Sequence, residues 1–580
     1  MKKIIILIIS VLSLMLLFCS CQPTGDNSSG ESADYSKGLR FESNGDGTCY
    51  VKDKGIFEGS ELIIPPTSPE GDKVVAIGEG AFYYESGIES LVIPDSVSEI
   101  GHRAFECCDI KTLTLGDGVT GIGLRAFVGC PLVEIDFGEG AMSIGYEAFR
   151  GSASLTELDL SPNTLSIGDF AFCDAKKLTK VTIPASVTYI GEEAFRDCSK
   201  LSALTFGDGD ESLVIGKRAF EDCCEITELT LPERISEIGD FAFIFCSKIK
   251  KVNFPEGLEA IGEEAFAFCE QLEEAILPDG LSNLGEGVFI ECNTMKKVKL
   301  PSDLTVLPNE FLRGCRSLEK IELPTGLTYI GNKALDVCIK IKEIAIPEGV
   351  TYIGYEAFSG TAITAIRIPD SVSEMGYGVF SSCEKLTAID FPAGLTAIPD
   401  RFFEHCEGLT EIEISEGVSV IGSKAFYACK NLSEVILPSS LKGIGYCSFE
   451  YCIALFEITL PEGFNDLGSC AFESCTSLVS VILPEGVTRI GEFAFDNCTS
   501  LSEVIIEGDV TYIERRAFYN TAIEEITLPA SLERIDYKAF GDSLKKVIFC
   551  GTEEQFASIR IHEDNDALLS AEIEYLDNAQ

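Results

Sequence analysis

The segment Ile-Gly-x-x-Ala-Phe returns about every 23 residues through this chain, and that period dictates what the chain can fold into. It reads Ile100-Gly101…Ala104-Phe105, Ile190-Gly191…Ala194-Phe195, Ile421-Gly422…Ala425-Phe426 and Ile490-Gly491…Ala494-Phe495. The closing Phe, or Leu at positions 312 and 335, marks 21 copies from Phe82 to Phe540. Of the 20 intervals between markers, 15 are 23 residues, four are 22 and one is 25. A fixed period of this length with leucine-type spacing predicts a solenoid, each coil burying its apolar edge against its neighbours. Such a fold offers one long surface and no deep pocket, which points to binding rather than catalysis.

One copy explains the others. Leu318-x-x-Ile321-x-Leu323 alternates at period two, which predicts a strand with Leu318, Ile321 and Leu323 facing the core. Pro324 stops the strand, because it has no N–H for the ladder, and fourteen copies place Pro there. Leu327 and Ile330 carry the apolar side around the next corner. Gly331 is read as allowing a tight or positive-φ turn, after which Ala334 and Leu335 return to the core.

Fifteen copies carry Cys three residues after the marker, among them Cys198, Cys246, Cys269, Cys292, Cys315, Cys429, Cys452, Cys475 and Cys498. A position recurring once per coil points the same way each time, so neighbouring thiols stand about one strand spacing, ~4.8 Å, apart. Disulfides need converging Cβ atoms at about 3.8 Å. The expected role is a buried thiol ladder, compact, apolar and weakly donating. Cys447 and Cys470 share an off-ladder position in adjacent copies and could pair. Zinc at Cys447, Cys452, Cys470 and Cys475 is the weaker alternative, since the chain has no Cys-x-x-Cys.

With 45 basic and 93 acidic residues the net charge is −48, spread along the chain. That field disfavours nucleic acid and anionic lipid surfaces and keeps a long apolar-cored protein soluble. The first twenty residues read as an export signal, with basic Lys2 and Lys3 before an apolar run from Ile4 to Phe18. The run is short for a membrane span. Phe18-Cys19-Ser20-Cys21 followed by the polar Gln22 to Gly30 resembles a bacterial lipobox. The resemblance implies cleavage before Cys21 and lipid on its thiol and amino group; ordinary signal cleavage is the other reading.

The pattern LxxIxIPxxVxxIGxxAFxxC, carried by Leu178 to Cys198 and again by Leu478 to Cys498, resembles the BspA-like, or treponema-type, leucine-rich repeat proteins. The resemblance implies surface-exposed, non-enzymatic proteins, several of them adhesins. The expected fold is therefore a repeat solenoid of about 21 coils with one parallel sheet face and a cap at each end. Its expected divisions are a signal peptide (1–20), a polar tether (21–37), an N-terminal hairpin cap (38–74), the solenoid (75–550) and a C-terminal cap (551–580). Asp46-Gly47 supplies the turn of the hairpin.

In each strand one residue between the two core positions faces outward. Towards the C-terminus this row reads Ile436, Thr459, Ile482, Ile505, Thr527 and Ile548, all β-branched, beside Glu434, Glu457, Glu503 and Glu525. An apolar ladder next to an acidic one is a candidate protein-binding patch; the bland alternative is that β-branched residues merely suit strands. Asn44-Gly45-Asp46-Gly47 and Asp208-Gly209-Asp210-Glu211 lack full calcium-loop spacing and read as turns. His102, His405 and His562 share no motif and no nucleophile elbow is present. The expectation is a lipid-anchored, monomeric surface adhesin for an extracellular or host protein. It would have no cofactor or metal, would not be an enzyme, and would meet the membrane through its lipid alone. The alternative is a passive scaffold of the bacterial envelope.

Overall fold

The computed structural model describes residues 35–576. The signal segment, most of the tether and Cys21 lie outside the described residues. From residue 61 to residue 575 the chain winds as a parallel β-solenoid whose strands pair with those one coil away. The LxxIxI segments form the first sheet: Lys180–Ile183 pairs with Ala203–Phe206, placing Val181 opposite Leu204 and Thr182 opposite Thr205. Inward residues of this sheet are buried and outward ones mostly exposed, as in Ser480–Leu483, where Val481 and Leu483 face the core and Ile482 faces water.

Alongside the sheet face read from the sequence runs a second ladder of mostly two-residue strands, such as Tyr189–Ile190. It consists of each Ile before the Gly, turned inward, and the residue preceding it, turned outward. Its longest stretch is a twelve-stranded sheet from the N-terminal hairpin to Asn283–Leu284. The Ala-Phe corner closes each coil with turns whose N–H groups also cross coils: Arg103, Phe105 and Cys107 donate to Leu124, Ala126 and Val128.

The repeat glycine serves close approach and not a positive φ. A Cβ on Gly331 would lie 2.5 Å from the backbone nitrogen of Asn309 and 2.5 Å from the carbonyl carbon of Pro308, so no larger residue fits. Positive φ falls instead two residues before and two after the marker, at Lys333 (53°) and Val337 (59°) in that coil. Those positions hold ordinary residues because repeated cross-coil hydrogen bonds over-determine the backbone there.

The core is filled by a column of marker rings. Phe82 to Phe289 stack in ten successive coils, with centroids 4.9 to 6.1 Å apart. A second column of nine rings runs from Phe358 to Phe540. Leu312 and Leu335 interrupt it, and in the same two coils the segments around Glu322 and Ala345 form no regular strand.

All fifteen ladder cysteines are buried and free. Each thiol reaches back one coil and donates to the carbonyl of the preceding marker at 2.9 to 3.5 Å. Burial raises the pKa of fourteen of them, to about 11 at Cys383 and about 12 at Cys108, which keeps the S–H present as donor. Cys447 and Cys470 are likewise buried and free.

At the N-terminal end Arg40–Ser43 and Thr48–Asp53 form an antiparallel hairpin, and the second of these strands starts the second sheet by pairing with Lys73–Ile77. At the other end Arg560–Ile561 extends the second sheet and Glu572–Tyr575 the first. A short helix precedes each of these strands: Glu553–Ser558, which begins in a Thr552/Gln555 capping box, and Asp566–Ser570. The side chain of buried Asn565 accepts from Ala539 N–H at 2.8 Å and donates to the carbonyls of Asp536 and His562. It thus supplies the polar partners a further coil would have offered.

Candidate ligand-binding face

The outward row near the C-terminus divides into three groups, because the first sheet's ladder bonds are not continuous. Thr459, Ile482 and Ile505 are directly opposite one another in three consecutive paired strands. Ile482 and Ile505 keep 42% and 43% of their surface exposed, which for a large aliphatic side chain in a sheet is a standing apolar surface. Glu457, Ser480 and Glu503 form the parallel row beside them, in register.

Ile436 belongs elsewhere. Its strand pairs with Glu411–Glu413, so Glu413 is its partner and Glu434 faces Glu411. It lines an open hollow of about 330 Å³ with Ile389, Ile412 and three carboxylates, where the first sheet skips a pairing between Ala388–Asp390 and Glu411–Glu413. Thr527 and Ile548 form the third group with the terminal strand. Ile548 is only half-exposed and stands beside Glu574. Glu525 is answered by Lys546, which also pairs with Glu574 at 2.8 Å, so the acidic row ends in an ion pair.

Phe456 belongs to neither outward row. It stands immediately before Glu457 and is 57% exposed, with Ile453 a few residues earlier at 41%. Its position falls at the strand entry, outside the alternation that identifies outward strand residues, so period-two reasoning passes over it. An exposed Phe at the entry to the strand that carries Thr459 adds apolar surface to that coil. The outward residues of the middle strands pair among themselves: Arg367 lies opposite Asp390 with a 3.6 Å contact and also meets Glu348.

Other candidate chemistry stays dispersed. His102 Nδ1 accepts the Leu124 N–H, His405 packs edge-on against Tyr427, and His562 pairs with Asp564, each in a different coil. Asp46 accepts the N–H and hydroxyl of Thr48, closing the hairpin turn. Among the described residues no group of three or more His, Cys, Asp or Glu is arranged to hold a metal ion, and no helix is long and apolar enough to cross a membrane.

No curated protein is significantly similar to the chain. Among solved structures, a leucine-rich repeat protein from Bacteroides ovatus ATCC 8483 is 23% identical over 93% of this chain and 98% of its own, with a TM-score of 0.45. A leucine rich cell surface protein from Faecalibacterium prausnitzii A2-165 is 21% identical over 84% and 96%, with a TM-score of 0.28. A leucine-rich repeat protein from Eubacterium ventriosum ATCC 27560 is 20% identical over 76% and 93%, with a TM-score of 0.37. The family model for the BspA type leucine rich repeat region matches residues 75–202, 213–336, 305–433 and 419–546. With most of its length so matched, the chain belongs to the BspA type leucine rich repeat family.

Proposed function

We propose that this is a lipid-anchored bacterial surface protein that binds an extracellular protein through the first sheet near its C-terminus. The observation that carries the reading is the adjacency of exposed Ile482 and Ile505, with Thr459 in register and Phe456 at the strand entry. These side chains fill no core, and a contiguous apolar strip rimmed by Glu457 and Glu503 matches the apolar centre and polar rim of a protein interface. The acidic rim favours a partner with basic residues around an apolar anchor. The signal and lipobox-like residues up to Cys21 would place the solenoid outside the cell on a polar tether.

The test is a binding screen of the full chain against matrix proteins and partner-cell extracts, followed by Ile482→Asp with Ile505→Asp. Loss of binding with an unchanged melting curve supports the reading. Full binding by the double variant removes the strip from it, and absence of any partner favours a passive envelope scaffold. Cys21→Ala is expected to abolish fatty-acid labelling and to move the protein from the detergent phase to the aqueous phase.

A further inference from the structure

The second sheet is cut at two places by the same short sequence. Gly285-Glu286-Gly287-Val288-Phe289 is followed one coil later by Leu307-Pro308-Asn309-Glu310-Phe311, where most other coils carry Ile-Gly-x-x-Ala. Four coils on, Gly376-Tyr377-Gly378-Val379-Phe380 is followed by Ile398-Pro399-Asp400-Arg401-Phe402. In ordinary coils the glycine N–H donates to the Ile one coil back, as Gly331 does to Leu307 and Gly422 to Ile398. Pro308 and Pro399 have no N–H to give. Phe311 and Phe402, in place of the small Ala, pack edge-on against Phe289 and Phe380, while the corner itself keeps its cross-coil bonds. The ladder is accordingly broken between Asn283–Leu284 and Val306–Leu307, and between Glu374–Met375 and Ala397–Ile398. A third break, between Asp466–Leu467 and Arg489–Ile490, carries Gly491, and nothing in the structure explains it.

Each of the two proline breaks opens a hollow, of about 730 Å³ at the first and about 420 Å³ at the second. Their lips are matched. On one lip the carbonyls of Ser282 and Leu284, or of Ser373 and Met375, receive no hydrogen bond among the described residues. On the other, the N–H groups of Thr305 and Val306, or of Thr396 and Ala397, find no acceptor. The hydroxyl column of this sheet elsewhere donates one coil back, as Ser282 does to Glu259, Thr328 to Thr305 and Ser419 to Thr396. Thr305 and Thr396 make no such bond and stay exposed. Between the hollows stand Tyr329 and Tyr352, stacked at 4.6 Å, Tyr329 walling the first hollow and Tyr352 the second.

We propose that these twin hollows and the tyrosine pair between them form a binding site for a neutral oligosaccharide chain. Sugar hydroxyls both donate and accept, so one ligand satisfies the carbonyl lip and the N–H lip together. The rings supply the apolar platform against which the C–H faces of sugars pack. Glu286, Asp303 and Glu374 at the rims repel anionic polymers. Four coils at ~4.8 Å separate the hollows by ~19 Å, which suits an extended chain of several sugar units and not a single one. This site lies on a different sheet from the Ile482–Ile505 strip and does not depend on it.

The experiment probes the full chain on an array of neutral tetrasaccharides of hexoses and N-acetylhexosamines, with heparin tetrasaccharides and Lys-rich decapeptides as the competing chemistries. Retention of a neutral tetrasaccharide is expected, confirmed by calorimetric titration. Tyr329→Ala with Tyr352→Ala should weaken it at least tenfold while circular dichroism shows the chain still folded at the temperature of the titration. Pro308→Gly with Phe311→Ala restores the ordinary repeat, should close the first hollow and should weaken binding similarly. Ile482→Asp with Ile505→Asp should leave saccharide affinity unchanged. The proposal is overturned if no neutral tetrasaccharide binds at millimolar concentration, if the tyrosine variant binds as the parent does, or if only the Lys-rich peptide is retained.

Discussion

The thiol of Cys475 donates to the main-chain carbonyl of Phe449, 26 residues earlier, at 3.1 Å, and fourteen other cysteines make the same reach to the preceding marker. Three of the coils without this cysteine use Ser152, Thr361 and Thr521, whose hydroxyls bond the marker carbonyl of their own coil instead. Sulfur's longer bonds let the thiol bridge two coils where the shorter hydroxyl serves one.

This arrangement predicts an alkaline instability. Burial holds the native thiols above their ordinary value, to about 11 at Cys383 and about 12 at Cys108. Unfolded thiols titrate near ~8.5. Above that pH the unfolded chain gives up protons that the folded chain keeps, so stability is complete below ~8.5 and falls as pH rises towards the native values. Each thiol so raised contributes a loss of about 1.4 kcal/mol per pH unit in that window, and fourteen act together. Melting temperature should therefore be flat from pH 6 to 8 and drop steeply above 9. Replacing several ladder cysteines by Ala should move the drop to higher pH, and a flat profile to pH 10.5 would contradict the ladder account.

Thiol accessibility gives an independent reading of the same feature. A titration with a chromogenic disulfide reagent should leave the ladder thiols unreacted in the native protein, because buried, protonated sulfur is a poor nucleophile. Denaturation without reductant should release them. Recovery of only a few would mean that the cysteines are oxidised in the natural protein.

Arg234 ties down the one 25-residue repeat. Its guanidinium is buried and donates to the carbonyls of Val187 at 2.6 Å, Pro184 at 3.0 Å and Gly207 at 3.0 Å, spanning back over two coils. Losing it strands the carbonyls of Val187 and Gly207 around a cavity, while Pro184 keeps the N–H of Val187. Arg234→Ala is expected to cost about 3 kcal/mol, and Arg234→Lys to recover part of that because a single ammonium cannot match three divergent acceptors. Urea unfolding of both variants measures the difference.

The coil, the inward rows and the thiol column were legible in the sequence because each repeats once per period and alternates within a strand. What escaped lay where periodicity is broken or where chemistry is supplied by a neighbour. The glycine of Ile-Gly was read as a turn residue, since sequence shows the absence of a side chain and not the backbone of Asn309 that requires it. Pro308 and Pro399 stood in plain view as departures from the repeat. Their consequence, two lips of unpaired backbone, depends on which residues lie one coil away. The outward Ile row read as continuous, and the skipped pairings that isolate Ile436 and Ile548 have no signature in the strands themselves.

Asn565 offers a local test of the C-terminal cap. It satisfies Ala539 N–H and the carbonyls of Asp536 and His562 from a buried position. Asn565→Ala leaves the Ala539 N–H and the Asp536 carbonyl unpaired, while His562 keeps the main-chain N–H of residue 565, and each buried orphan costs about 1–3 kcal/mol. The expected outcome is fraying of the last coil, seen as faster proteolysis after residue 534, while central coils keep their protection.

The centre of the solenoid should open before either half. The marker rings stop at Leu312 and Leu335, the first sheet forms no regular strand around Glu322 or Ala345, and Pro308 cuts the second sheet from its N-terminal part. Stability in a repeat protein is close to a sum of coil and nearest-neighbour terms, so one weak interface divides the cooperative unit. Amide exchange should be faster at residues 320–323 and 343–346 than at Lys180–Ile183 or Ser480–Leu483, whose strands are paired on both sides. Restoring the column with Leu312→Phe and Leu335→Phe adds ring contacts of about 0.5–1.5 kcal/mol each where the cavity accepts them. Slowed exchange at these segments would assign the weak interface to the missing rings. Unchanged exchange there, with slower exchange after Pro308→Gly and Phe311→Ala, would assign it to the broken ladder.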